Sequence, residues 1–291
     1  MIYELKNEEI TVKISDHGAE LKSLIRNTDG REYLWQANPD FWGRTSPVLF
    51  PVVGCYYGKE SRYNGKTYSM GQHGFARDMD FELVSEATDS IEFKLIDTPE
   101  THEKYPFAFE LHCGYKITGK EILVSWKVIN KDSVTSYFSI GAHPAFNCDL
   151  DEDVLRLEKQ KNAPDAIRTN VVAQDGSGCL SDRTKEFSLI GGILGMSDEL
   201  FAEDALVIEH KQIDSISIVD RRGNAFVKVS FDAPLVGVWS PVGKHAPFVC
   251  IEPWYGRCDR VGFTGDISER EYGNTLAPGE EFEAEYTIEI Q

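Results

Sequence analysis

The stretch L-H-C-G-Y-K-I-T-G-K-E-I-L-V-S-W-K-V-I, residues 111–129, decides the fold class. Two runs of largely alternating apolar and polar side chains, 111–117 and 122–129, flank the turn sequence T-G-K-E. Alternation places the apolar residues on one face of an extended chain, as in a β-strand with one buried face. Two such runs around a turn predict an antiparallel hairpin.

The same alternation recurs outward from this hairpin. It is found at 9–14, 91–96, 215–219, 226–231 and 282–290. Residues 215–219 and 226–231 flank D-R-R-G-N, whose glycine and asparagine tolerate positive φ, so they predict a second hairpin. No segment keeps an i, i+3, i+4, i+7 pattern over three turns, which leaves only a few short helices. We therefore predict an all-β fold of many antiparallel strands in sheets packed face to face.

Organisation along the chain is predicted to be simple. The polar, glycine- and serine-containing segment 162–183 is interpreted as a long loop. It is not interpreted as a domain linker, because strands of one style continue on both sides. We therefore expect a single domain over residues 1–291.

Composition restricts the partners and the compartment. A hydrophobic content of 41% with 16 Phe is ample for a buried core, and the net charge of −18 disfavours nucleic acid and anionic membranes. The N-terminus lacks a signal-peptide pattern and no run is long enough to span a membrane, so a cytoplasmic protein is expected. The six cysteines show no C-x-x-C spacing, which predicts reduced, partly buried thiols.

Two apolar stretches each end with a titratable side chain directly before a proline. They are S-I-G-A-H-P-A-F at 139–146 and F-V-C-I-E-P-W-Y at 248–255. In an extended strand Glu252 shares a face with Phe248 and Cys250, and apolar neighbours raise the pKa of a carboxyl towards the range of a general base. The alternative is a surface glutamate paired with Arg257 or Arg260.

His143 lies in the equivalent position of the other stretch. The residue before a proline is restricted to extended backbone, which fixes the direction of its side chain. An imidazole titrates near neutral pH and can act as acid or base. The alternative is a structural histidine with no chemical role.

Two further segments, 42–54 and 71–77, contribute candidate pocket residues. His73 lies between Gly71 and Gly74, which suits a backbone that bends close to a ligand. Arg44 and Arg77 can bind hydroxyls or an anion, or alternatively pair with the abundant acids. No zinc motif, P-loop, G-x-S-x-G or G-x-G-x-x-G occurs, so we expect no metal and no nucleotide cofactor.

At these residues the sequence resembles the aldose 1-epimerase (galactose mutarotase) family. The matching stretches, in order, are W-G-R-T-S-P-V-L-F-P, G-Q-H-G-F-A-R, I-G-A-H-P-A-F and C-I-E-P-W-Y-G. The likeness is greatest to the mutarotase-like proteins of bacterial lactose operons and to hexose-6-phosphate 1-epimerases. It implies a large antiparallel β-supersandwich and interconversion of α and β anomers without a cofactor.

The resemblance also implies roles for individual residues. Glu252 would be the general base that removes the proton of the anomeric hydroxyl, and His143 the general acid that protonates the ring oxygen. His73 and Arg44 match sugar-binding positions. Arg77 resembles the branch in which two arginines meet a phosphate, so a hexose and a hexose phosphate both stay open as substrates.

A third acidic sugar ligand is expected between the two proline-containing stretches. Asp204 is the best candidate, with Glu209 and Asp214 as alternatives. Two other functions are weighed against the isomerase: a carbohydrate-binding protein without catalysis, and a glycoside hydrolase that pairs Glu252 with a second acid. The partner expected in each case is a sugar, and the protein is expected to be a monomer or a homodimer.

Overall fold

A computed structural model describes residues 1–291, which form 24 strands and four short helical segments. The first strands, numbered in chain order, are β1 Ile2–Lys6, β2 Ile10–Ser15, β3 Leu21–Arg26, β4 Val48–Leu49, β5 Glu60–Tyr63, β6 Lys66–Ser69, β7 Glu82–Glu86, β8 Ser90–Ile96, β9 Phe109–Thr118, β10 Glu121–Asn130, β11 Ser136–Phe138 and β12 Ile140–Ala142. The remaining strands are β13 Ala145–Asn147, β14 Val154–Glu158, β15 Ala166–Val172, β16 Leu180–Ser188, β17 Ile193–Gly195, β18 Leu206–Ile208, β19 Ser215–Val219, β20 Ala225–Phe231, β21 Leu235–Trp239, β22 Phe248–Tyr255, β23 Asn274–Leu276 and β24 Glu281–Ile290. The helical segments are α1 Pro99–His102 and the 3₁₀ turns Tyr57–Lys59, Ala76–Asp78 and Ile267–Glu269.

The two predicted hairpins lie in one nine-stranded sheet. Its strand order is β17-β14-β19-β20-β24-β10-β9-β8-β7. In the first hairpin β9 pairs with β10 so that Cys113 lies opposite Trp126, and both side chains are buried. The alternation in these strands therefore separates a buried face from a solvent-exposed face, as predicted.

A second sheet of eight strands carries the candidate site. Its order is β16-β15-β18-β21-β22-β12-β4, and β13 also pairs with β22. Smaller sheets, among them β1-β2-β3, complete the fold. Val124 and Ile288 of the nine-stranded sheet and Val249 and Ile251 of the eight-stranded sheet belong to one apolar cluster, which lies between the sheets. The prediction of an all-β sandwich with few short helices is confirmed.

The prediction of a long loop at 162–183 is wrong, because this segment contains β15 and the beginning of β16. β16 is an edge strand whose side chains are mostly exposed. A strand without a buried face has no need of alternating apolar residues, so its sequence looks like that of a loop.

β22 is longer than its sequence indicates, because it continues through Pro253 to Tyr255. Proline cannot donate to a strand ladder. Next to this proline, the indole N–H of Trp254 donates to the carbonyl of Ala142 on the neighbouring strand β12, at 3.2 Å.

Trp254 lies between glycines of the two flanking strands. A Cβ on Gly141 or Gly237 would lie 2.6 Å or 2.4 Å from the indole ring, so both positions need glycine for the ring to pack there. The odd-numbered β22 residues Val249 and Ile251 face the core, and the even-numbered ones face the other side of the sheet.

None of the four helical segments has the length and the apolar character that a membrane-spanning helix requires.

Candidate active site

A cleft of about 420 Å³ lies over the outer face of the eight-stranded sheet. This volume falls within the usual range of small-molecule sites. The residues selected from the sequence all line it: Arg44, His73, Arg77, His143, Asp204 and Glu252. The fold thus brings together side chains that are up to 208 positions apart (Arg44 to Glu252, 252 − 44).

His143, in the two-residue gap between β12 and β13, lies directly opposite Glu252 of β22. β12 pairs Gly141 with Trp254 and β13 pairs Ala145 with Cys250, so one register continues across His143. His143 Nε2 is 3.4 Å from Glu252 Oε2. Both residues are buried, at 6% and 1% exposure, yet His143 Nδ1 and Glu252 Oε2 have no hydrogen-bond partner.

Burial shifts the pKa values of Glu252 and His143 in opposite directions, because it favours the uncharged form of each group. It raises the pKa of Glu252 well above its usual range, and the charge of Asp204 adds to this rise. Burial lowers the pKa of His143 to about 3, and the charges of Arg77 and Arg44 act in the same direction. Burial of the pair therefore favours the protonated carboxyl of Glu252 and the neutral imidazole of His143.

Three aromatic rings surround the imidazole of His143. Trp42 stacks on it, with ring centroids 4.7 Å apart and planes 25° apart. Trp239 and His73 approach edge-on, at centroid distances of 5.5 Å and 5.4 Å. Stacked and edge-on rings restrict the imidazole to one orientation, so its free nitrogen points in a fixed direction.

His73 is held in a bent backbone with one nitrogen already engaged. Its φ is +65°, and a Cβ on the following Gly74 would lie 2.2 Å from the carbonyl oxygen of Phe50. The amide of Gly54 donates to His73 Nδ1 at 3.1 Å, which leaves the proton of the neutral ring on Nε2. Burial holds the pKa of His73 well below its usual range, and the positive charges of Arg77 and Arg44 act in the same direction. His73 therefore offers an N–H donor to a ligand.

Two arginines share a single carboxylate at the edge of the cleft. Arg44 donates to Asp78 at 2.7 Å, and Arg77 Nε lies 3.8 Å from the same carboxylate. Arg77 also donates to the carbonyl of Gln72 at 2.7 Å, while its Nε is buried without a hydrogen-bond partner. Burial lowers the pKa of Arg77 to about 10, so it stays charged at neutral pH. One positive charge at this edge is left without a carboxylate of its own.

The structure separates the three candidates for the acidic ligand. Asp204 lines the cleft, where one oxygen accepts from the amide of Ala205 at 2.8 Å and burial raises the pKa of its carboxyl. Glu209 is buried in an ion pair with Arg257 at 2.5 Å, and Asp214 accepts from a backbone amide at 2.8 Å. Neither Glu209 nor Asp214 lines the cleft, so Asp204 alone of the three can contact a ligand there.

Sequence reasoning missed part of the cleft wall. Trp239 ends β21 and pairs with Cys250, so its position depends on a strand register that sequence does not give. Its V-W-S-P context, an apolar run that ends in an aromatic residue, is the one signal for it. His143, Cys250 and Glu252 also form one buried group of three residue types that ligate metals.

Comparison with known proteins identifies the class. The family model for aldose 1-epimerase matches residues 1–289. Protein LacX of Lactococcus lactis subsp. lactis, encoded on a plasmid, is 33% identical over 267 residues, which cover 88% of each chain. The chain is an isomerase that acts on carbohydrates.

Solved structures agree in fold over the whole chain. A galactose mutarotase-related enzyme from Lactobacillus acidophilus is 37% identical with a TM-score of 0.92, and covers 100% of this chain and 97% of its own. A galactose mutarotase-like protein from Lactobacillus casei ATCC 334 is 27% identical with a TM-score of 0.93 and full coverage of both chains. The chain belongs to the aldose 1-epimerase family and has the galactose mutarotase-like β-sandwich predicted from its sequence.

Proposed function

We propose that this protein interconverts the α and β anomers of a hexose or hexose phosphate, with His143 and Glu252 as the catalytic acid–base pair. The observation that carries the proposal is their 3.4 Å separation inside the cleft, together with the unpartnered Oε2 of Glu252 and Nδ1 of His143. A site that only binds sugar needs hydrogen-bond donors and acceptors, but it does not need two facing groups with oppositely shifted pKa values.

The reaction needs one proton removed and one delivered at oxygens bonded to the same carbon. The Glu252 carboxylate takes the proton of the anomeric O1–H, the C1–O5 bond breaks, and the His143 imidazolium protonates O5. The open-chain aldehyde rotates about C1–C2. The chain then recloses when O5 attacks C1, with both proton transfers reversed. No cofactor takes part, and each group returns to its starting state.

The cycle requires one proton shared between the two groups. Burial favours its location on Glu252, because it disfavours both the carboxylate and the imidazolium. A hydroxyl that donates to the carboxylate stabilises its charged form, and the same proton can then reside on His143. Substrate binding therefore converts the uncharged pair into carboxylate base and imidazolium acid.

The other cleft residues would bind and orient the sugar. His73 supplies its Nε2–H to a ring or hydroxyl oxygen, and Asp204 accepts from a hydroxyl. The faces of Trp42 and Trp254 pack against the apolar C–H face of the ring. Orientation of one sugar between two catalysts removes much of the entropic barrier to the reaction.

Arg44 and Arg77 support a phosphorylated hexose as the substrate. The pair of guanidinium groups has one carboxylate, that of Asp78, and Arg77 Nε is unpartnered. A phosphate can accept from both arginines. It would also offset the two positive charges that lower the pKa of His143, and so favour the imidazolium acid.

The proposal is tested by following freshly dissolved α-glucose, α-galactose and α-glucose 6-phosphate by NMR, with and without catalytic amounts of protein. We expect faster equilibration of at least one sugar, with glucose 6-phosphate the most accelerated. Binding without acceleration of any of the three would support a sugar-binding protein instead. A glycoside hydrolase that uses Glu209 as its second acid is disfavoured, because Glu209 is occupied by Arg257.

A further inference from the structure

We propose that His143, Cys250 and Glu252 form an inhibitory site for a thiophilic divalent cation, with Zn²⁺ as the matching ion. Occupation of this site would block the acid–base pair. The inhibition rests on the proposed function, whereas the binding of the metal does not. Two of its ligands are the proposed catalytic pair, and the third, Cys250, takes no part in the reaction.

The strand register creates the three-residue set. Cys250 and Glu252 are two residues apart on β22 and so share one face of the sheet, and His143 lies across from Glu252. One ligand atom from each residue, a nitrogen, a sulfur and an oxygen, lies within 4.8 Å of the other two. Tetrahedral Zn²⁺ places such ligand atoms about 3.3 to 3.8 Å apart. With the imidazole held in place, rotation of the Cys250 and Glu252 side chains has a gap of at most about 1.5 Å to close (4.8 Å against 3.3 Å).

A second observation points to a ligand at this place. Glu252 Oε2 and His143 Nδ1 are buried polar atoms that no protein group satisfies. Such atoms are rare in folded proteins and are commonly explained by an ion, a water molecule or a substrate. Both groups are available to a ligand, because neither Glu252 Oε2 nor His143 Nδ1 has a hydrogen-bond partner.

The charge balance favours a divalent ion over a monovalent one. Zn²⁺ bound by the thiolate of Cys250, the carboxylate of Glu252 and the neutral imidazole of His143 forms a complex without net charge, and any protons displaced from these ligands go to solvent. The buried complex therefore avoids the cost of an uncompensated buried ion. A set of one sulfur, one nitrogen and one oxygen selects Zn²⁺ over Mg²⁺ and Ca²⁺, which prefer oxygen ligands.

Binding is measured with Co²⁺, which substitutes for Zn²⁺ and gives a near-ultraviolet charge-transfer band when a thiolate ligates it. We expect one equivalent of Co²⁺ to produce this band in the full-length protein and Zn²⁺ to remove it. The band should be lost in Cys250→Ala and kept in Cys148→Ala, a matched control outside the three-residue set. No band in the unmodified protein, or an unchanged band in Cys250→Ala, would overturn the proposal.

Inhibition is measured separately on the sugar that the protein equilibrates. We expect Zn²⁺ to inhibit, a chelator to restore the rate, and Cys250→Ala to raise the half-inhibitory concentration by about tenfold or more. Equal inhibition of Cys250→Ala and Cys148→Ala would mean that Zn²⁺ acts elsewhere. If no sugar is equilibrated, the proposed function fails, while the Co²⁺ band still decides whether the metal site exists.

Discussion

Two neighbouring regions of this molecule bury charged side chains but satisfy them differently. Beside the cleft, Arg257 is 2% exposed and its Nε donates to Glu209 at 2.5 Å. In the cleft, Glu252 is 1% exposed, and neither its Oε2 nor the Nδ1 of its neighbour His143 has a partner. We refer to the first region as the ion-pair cluster, which comprises Glu209, Arg257, Asp259 and Arg270.

Whether a buried charged group has a protein partner distinguishes the structural role of the ion-pair cluster from the chemical role of the cleft. In the ion-pair cluster Arg270 donates to Asp259 at 2.7 Å, and Asp259 also accepts from the amide of Tyr57 at 2.9 Å. A buried polar group left without a partner costs about 1 to 3 kcal/mol of stability. The cluster avoids this cost inside the protein, whereas the cleft leaves its groups open for a ligand to satisfy.

Among the changes that leave Glu252 in place, the largest effect should follow loss of the acid His143 in the cleft. We expect His143→Asn to lower the rate of anomer exchange by about 10² to 10⁴-fold, because asparagine cannot deliver a proton to the ring oxygen. The measurement is exchange NMR under saturating sugar. His17→Asn, at an exposed histidine paired with Asp80, is the control and should keep the parental rate. A parental rate in His143→Asn would remove this residue from the mechanism.

Substitutions in the ion-pair cluster should lower the free energy of unfolding. We expect Arg257→Met to lower the free energy of unfolding by about 3 to 5 kcal/mol, because it leaves the carboxylate of Glu209 buried and uncompensated. Denaturant unfolding measures this loss. Arg221→Met removes an exposed ion pair with Glu152 and should cost less than about 1 kcal/mol. Similar losses in the two variants would contradict a structural role for the cluster.

Loss of an arginine at the edge of the cleft should weaken the binding of a phosphorylated hexose more than that of a free hexose. We expect Arg77→Gln to raise the KM for glucose 6-phosphate by about 10- to 100-fold, as for the loss of a charged hydrogen bond. The KM for a free hexose should change little. Arg62→Gln, outside the cleft and paired with Glu60, is the control. An equal rise for both sugars would show that Arg77 does not contact the phosphate.

The smallest effect concerns the pH dependence of stability. The pKa of Glu252 is raised in the folded protein, so the folded state keeps a proton that the unfolded chain releases above about pH 4.5. The contribution of Glu252 to stability therefore falls as the pH rises above about 4.5 towards the folded pKa. We expect Glu252→Gln to gain stability relative to the unmodified protein as the pH is raised above about 4.5 in denaturant unfolding. A constant difference would contradict the raised pKa, and exposed Glu283→Gln is the control.

Sequence patterns predicted those parts of the fold in which one strand face is buried. The hairpin of β9 and β10 is an example, because its alternation follows directly from burial of one face. The exposed edge strand β16 was mistaken for a loop, since an edge strand can form without an apolar face. The neighbouring β15 is mostly buried and was missed because polar residues, among them the buried Thr169 and Asn170, interrupt its apolar pattern. Pro253 likewise suggested an end to β22 that the structure does not have.

The site was predicted in its members but not in its geometry. His143 and Glu252 were found from their short motifs, yet their direct opposition depends on the register between β12, β13 and β22. Asp204 is chosen over Glu209 because Glu209 is paired with Arg257 in the ion-pair cluster, a contact that the sequence does not reveal. Tertiary contacts of this kind leave no periodic signal in a sequence.

The central claim is that Glu252 exchanges a proton with a sugar that His143 also contacts. It is tested most directly by Glu252→Gln, with anomer exchange and sugar binding measured by NMR in the same sample. The amide keeps the shape of the carboxyl but cannot accept the proton, so we predict exchange at the uncatalysed rate with binding retained. Exchange at the parental rate would contradict the account.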